Sequence, residues 1–158
     1  MLTSEHNHLF DGATGTNARA DPDVARARFH AGLSEAFSFT AKHPGFLAMY
    51  GLEWGVIAGG GHLNILNGTE LLGWEQGRYG DVVADTATAR GDYAALYALM
   101  RARGWIGQFN HPASSQFAVA GVPLGYTPDG DATMALCEVV NTNAFSNNDS
   151  ETDRKSVV

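Results

Sequence analysis

An almost unbroken apolar run, Phe46-Leu47-Ala48-Met49-Tyr50-Gly51-Leu52-Glu53-Trp54, is followed by Gly59-Gly60-Gly61 and then by His62-Leu63-Asn64-Ile65-Leu66. Apolar residues at consecutive positions, not alternate ones, mark a strand covered on both faces. The triple glycine reads as a tight connection, and its lack of side chains would also let backbone approach a ligand closely. Strands are therefore expected over 46–54 and 62–66, with a glutamate near the end of one and a histidine opening the other.

The rest of the chain supplies what such strands pack against. Asp21 offers an N-cap and Pro22 the first helical position, and Val24, Ala27, Phe29, Leu33, Ala36 and Phe37 follow at near-helical spacing until His43-Pro44-Gly45 ends the segment. A second helix is expected from Asp92 to Arg103, with Tyr93, Leu96, Tyr97, Leu99 and Met100 on its apolar face and Gly104 as its stop. Further strands are expected over Trp105–Phe109 and Met134–Val140. Helix followed by strand, twice, points to an α/β fold with parallel strands. At 158 residues and 44% hydrophobic content the chain suits one domain with a core, here 1–158, with a polar tail over 142–158.

Composition narrows the partners. A net charge of −7 without a basic cluster argues against nucleic acid. No segment approaches the ~18 continuous apolar residues of a membrane span. The single cysteine, Cys137, has no internal disulfide partner, and its apolar surroundings favour a packing role.

Glu53 stands out chemically, because a carboxylate in an apolar run is costly unless paired, hydrogen-bonded or bound to a cation; the alternative is a strand-end glutamate facing water. His62 alone does not separate ligand from structural residue. His111, between Asn110 and Pro112 at the end of an apolar segment, is the stronger ligand candidate, since proline stops the strand and fixes the backbone beside the imidazole. One glutamate and two histidines form a recognised ligand set for a divalent metal, with zinc, manganese and iron equally suited. His6 and His8 form a His-x-His pair, and Asn7 between them weakly suggests a His-Asn-His nuclease motif. His30 and His43 read as structural, the latter at a helix C-terminus. Trp54, Trp74, Tyr79 and Trp105 read as core or pocket wall. Asn64 and Asn141 suit either substrate orientation or turns.

Taken in order, the motifs resemble the PHP (polymerase and histidinol phosphatase) superfamily of metal-dependent hydrolases, and within it the branch that includes carbaryl hydrolase. Ser4-Glu5-His6-Asn7 resembles the family's Thr-Asp-His-Asn, and Gly51-Leu52-Glu53 its Gly-x-Glu. Gly61-His62-Leu63-Asn64 is similar to Gly-His-x-Asn, Asn110-His111-Pro112 matches Asn-His-Pro, and Glu138-Val139-Val140-Asn141 resembles Glu-Val-x-Asn. The resemblance implies a distorted (β/α)7 TIM-like barrel, of which this chain holds four or five strands. It lacks the family's opening His-x-His strand and closing Asp-x-His, so it reads as incomplete at both ends.

By resemblance His6, Glu53, His62 and His111 are metal ligands for one or more divalent ions. Glu53 and His111 are then catalytic, with Glu53 bridging two ions, and Asn7, Asn64, Asn110 and Asn141 face the substrate. The implied activity is hydrolysis of a small-molecule ester by metal-activated water, foremost a phosphoester, with carbamate or amide esters as the branch's other option. A metal-binding barrel remnant without turnover is the alternative. A partial barrel leaves open sheet edges, which invite pairing with a second copy.

Overall fold

Asp21 starts the first helix because its Oδ1 accepts the Asp23 and Val24 N–H groups at 2.9 and 3.3 Å. Pro22, at the first helical position, has no N–H to satisfy. The computed structural model describes residues 2–7, 21–56, 60–112, 117–119 and 122–138. Chain order is β1 (Leu2–His6), α1 (Pro22–Lys42), β2 (Met49–Val56), β3 (Gly61–Ile65), β4 (Leu72–Gly73), β5 (Thr86–Ala87), α2 (Tyr93–Arg103), β6 (Gly107–Phe109), β7 (Ala118–Val119), β8 (Val122–Pro123), α3 (Pro128–Thr133) and β9 (Met134–Cys137). The fold is mixed α/β. Five strands form one sheet in the order β1-β2-β3-β6-β9, while β4-β5 and β7-β8 are separate two-stranded pairs. Among the described residues the sheet does not close into a barrel. The chain divides into two compact units, Met1–Trp54 with Leu66–Ala89 and Gly55–Ile65 with Arg90–Val158.

In the first unit β1 lies parallel to β2, in register from Leu2 opposite Met49 to His6 opposite Glu53. The helix α1 meets β2 through Phe29, whose ring centroid lies 5.8 Å from that of Tyr50. Gly32 makes room for the same ring, since a Cβ there would stand 2.6 Å from Tyr50 Cζ. The Thr40 hydroxyl accepts the Ala48 N–H at 2.9 Å, which ties the last turn of α1 to the approach of β2. Trp54 is buried, donates from Nε1 to Thr88 Oγ1 at 2.9 Å, and meets Trp74 edge to face at 5.2 Å.

Several expectations change here. The buried stripe of α1 is Pro22, Ala25 and Phe29, whereas Val24, Ala27 and Phe37 are exposed, Phe37 by 58%. Rotational phase explains two of them, since Val24 and Ala27 lie roughly 140–160° round the helix from Phe29, whereas Phe37 sits only about 80° away, at the edge of the same stripe two turns further on. Phe46 and Leu47 precede β2 and are 44% and 61% exposed, so only the later part of the apolar run is enclosed. Tyr79 is neither core nor pocket wall. It lies 86% exposed in a turn, with the Arg78 guanidinium 5.7 Å from its ring centroid.

In the second unit α2 is capped by Asp92, which accepts the Ala95 N–H at 3.0 Å, and closed by Gly104 at φ 68. Tyr93, Leu96, Tyr97 and Met100 are buried, as their spacing requires. The space that a Cβ would take at Gly60 is filled by the Tyr93 ring, so this glycine admits a side chain of the core and not a ligand. Phe109 and Phe117 pack edge to face at 4.8 Å.

The sheet is mixed: β1 pairs with β2 and β6 with β9 in parallel, whereas β3 and β6 are antiparallel. Helix–strand alternation implies parallel crossovers, yet β3 and β6 pair antiparallel although α2 lies between them, because that connection also carries β4 and β5 and is not a simple strand–helix–strand unit. Trp105 is buried but precedes β6, and β9 ends at Cys137. Along β9 only Met134 is buried, Leu136 is 47% exposed, and Cys137 is half-buried, so the cysteine is not the enclosed packing residue expected. The helix α3, capped by the Thr127 hydroxyl on the Gly130 N–H at 3.0 Å, carries no apolar periodicity and was not foreseen.

Candidate metal centre

His6 closes β1 and stands in register with Glu53 on the neighbouring parallel strand. Paired residues on adjacent strands project to one face, which is why the two meet. His6 Nε2 lies 3.9 Å from Glu53 Oε2, with the side chains 31% and 17% exposed, and each offers a metal-ligating atom. Glu53 therefore does not point into open water. At 3.9 Å the contact is too long for a hydrogen bond. The Asn7 N–H donates to the Glu53 carbonyl at 2.8 Å. The Asn7 side chain is buried, and neither end of its amide has a partner among the described residues. Such a group costs about 1–3 kcal/mol, a cost that a bound polar ligand would offset.

In the second unit the antiparallel pairing of β3 with β6 does the same work. Leu63 faces Phe109, and one step further the Asn110 N–H donates to the His62 carbonyl at 3.1 Å. His62 Nδ1 and His111 Nε2 consequently approach to 3.3 Å, with the rings at 77°. His111 is one of two described non-glycine residues at positive φ, here 31°, a conformation that costs about 1–2 kcal/mol. Its N–H donates to Glu138 Oε2 at 2.6 Å. Gln108 Nε2 donates to Asn110 Oδ1 at 3.1 Å, and Asn64 Oδ1 is buried without a partner among the described residues. Glu138 and Gln108 were not singled out from sequence as site residues. The signal for Glu138 was there, a carboxylate directly after an apolar strand.

The 3.3 Å separation has a chemical meaning. Two nitrogens each about 2.0–2.1 Å from a tetrahedral zinc stand about 3.3–3.4 Å apart, twice the bond length times the sine of half the tetrahedral angle. The same distance suits an N–H···N bond between rings in complementary tautomers. The His6–Glu53 pair must close by roughly half an ångström to reach that spacing.

Other sequence candidates do not join either pair. His30 Nε2 sits 2.8 Å from Asp85 Oδ2, and His43 packs against the Phe39 ring at 4.1 Å, which makes both structural. His8 and Asn141 lie outside the described residues. Two apolar grooves of about 370 and 310 Å³ flank α1 in the first unit, and neither His6 nor Glu53 lines them. No family model, curated protein or solved structure matches this chain.

Proposed function

We propose that this chain is a metal-dependent hydrolase of the PHP type, acting on a small ester and foremost on a phosphoester. Its sheet would then be part of a distorted β/α barrel. The observation that carries the reading is the 3.3 Å approach of His62 Nδ1 to His111 Nε2, the spacing of two nitrogens on one divalent ion. The donor chemistry agrees: imidazole and carboxylate suit zinc, manganese or iron. His62 and His111 would hold one ion. His6 and Glu53, already facing each other, supply a second, looser position. Such an ion supplies Lewis-acid activation of water and neutralises charge on the oxygen that develops it. The residues around it would orient the substrate: the Asn110 amide, its oxygen held by Gln108, and the buried Asn7 amide would donate N–H₂ to a substrate oxygen, and the buried Asn64 would accept through Oδ1.

Metal analysis decides the matter. After loading with zinc or manganese and removal of excess, wild type should retain about one ion per chain, and His62→Ala and His111→Ala should each lose it. Equal content in all three would mean that the two imidazoles merely hydrogen-bond to each other. A loaded protein that hydrolyses p-nitrophenyl phosphate, with Glu53→Gln inactive, would establish the enzyme. Metal retention without turnover on phosphate, carbamate or amide esters would establish a binding remnant.

A further inference from the structure

The geometry points to Glu138 as the positioning residue of His111: its carboxylate releases the strand end from the sheet and turns that imidazole onto His62. This rests on the metal-centre reading above and adds to it the device that sets the ligand spacing.

The hydrogen-bond sequence shows how. In a parallel pair the N–H groups of one strand and then the other donate across in turn. The β6–β9 ladder reaches Glu138, whose N–H donates to the Phe109 carbonyl at 2.9 Å. Continued, the ladder would next take the His111 N–H to the Glu138 main-chain carbonyl, leaving residue 111 extended. The Glu138 side chain takes that N–H instead, through Oε2 at 2.6 Å, and His111 rotates to φ 31. The conformation needs a holder. Histidine pays sterically for positive φ, and the following Pro112 further favours extended backbone at residue 111. A short bond to a carboxylate is the stronger kind of backbone hydrogen bond, and its acceptor here belongs to the residue whose carbonyl it replaces. An extended His111 would carry its ring away from the position where Nε2 meets His62 Nδ1 at 3.3 Å.

Reach and charge are separable. Glu138→Gln keeps an acceptor oxygen at the same distance, whereas Glu138→Asp keeps the charge but falls about 1.5 Å short, one C–C bond. The full chain would be compared with these two variants and Glu138→Ala in metal-free protein. The readouts are the His111 amide proton shift and the nuclear Overhauser contact between the His62 and His111 rings. Zinc affinity is measured in parallel. Wild type and Glu138→Gln should show a downfield His111 amide and the ring–ring contact. Glu138→Asp and Glu138→Ala should lose both and bind zinc about 10–100-fold more weakly, as loss of a ligand-orienting partner typically causes. Unchanged spectra in Glu138→Ala, or Asp behaving as wild type while Gln behaves as Ala, would overturn the assignment. Failure of wild type to bind zinc would refute the metallohydrolase reading alone, because the metal-free spectra still judge Glu138.

Discussion

Gly55→Ala should be among the most damaging single-methyl additions in this chain. Gly55 lies in β2 at φ 112, where an L side chain is strained by about 1–3 kcal/mol. An added Cβ would also stand inside the van der Waals envelope of the Gly61 carbonyl oxygen, with Gly61 C at 3.2 Å and His62 Cα at 3.4 Å. These neighbours are backbone, so no side-chain rotation relieves the overlap, and overpacking adds about 1–3 kcal/mol. The Gly61 oxygen also accepts the buried Tyr93 hydroxyl at 2.8 Å, so pushing it aside weakens that bond and displaces His62. The sum is roughly 2–6 kcal/mol of a total stability on the order of 5–15 kcal/mol. That corresponds to a fall in Tm on the order of 10 °C for a chain of this size. Gly45→Ala is the control, since Gly45 has φ 91 but nothing within 4 Å of an added Cβ, leaving the backbone term alone at about 1–3 kcal/mol. Urea melts of both variants measure the difference. Equal losses would refute the collision argument, and a Gly55→Ala protein that melts like wild type would refute the close approach of Gly55 to Gly61.

Two further outcomes follow from the packing. Phe29→Ala should cost about 3–5 kcal/mol in urea unfolding, as deletion of a fully buried ring does, while Phe37→Ser should stay within about 0.5 kcal/mol. Comparable losses would restore the helix face expected from sequence. Burial raises the phenol pKa of Tyr93, an effect that Arg90 partly opposes, and burial aided by the neighbouring Tyr93 raises that of Tyr97, both above the ordinary 10.0. Their folded-state contribution is therefore complete below pH 10 and is lost as pH rises beyond it. Of the five tyrosines, absorbance titration should leave these two protonated until alkaline unfolding. Tyr97→Phe, which removes a hydroxyl without a partner among the described residues, should be neutral or stabilising.

Local chemistry was legible in the sequence and tertiary geometry was not. Both long helices begin and end where capping rules place them, at Asp21 and His43 and at Asp92 and Gly104, because caps depend on residues within one turn of the terminus. The four strands expected from apolar runs emerged near their places, as β2, β3, β6 and β9, since a continuous apolar run needs only its own residues to be recognised, whereas β1 and the two-residue strands β4, β5, β7 and β8 carry no such run. The same locality explains what stayed hidden. How far along α1 its apolar stripe stays covered depends on what packs against each turn, so spacing alone favoured Phe37 as readily as Phe29. Strand direction depends on where a connection returns, which no local pattern reports, and β3 accordingly runs antiparallel to β6. Glu53, His62 and His111 could be named as candidate ligands from their residue types and apolar surroundings. That His6 meets Glu53 and His62 meets His111 was decided by register between strands distant in sequence. The left-handed turn at His111 is the clearest case. Pro112 argues against it locally, and the His111 N–H donates instead to the Glu138 carboxylate, 27 residues further along the chain.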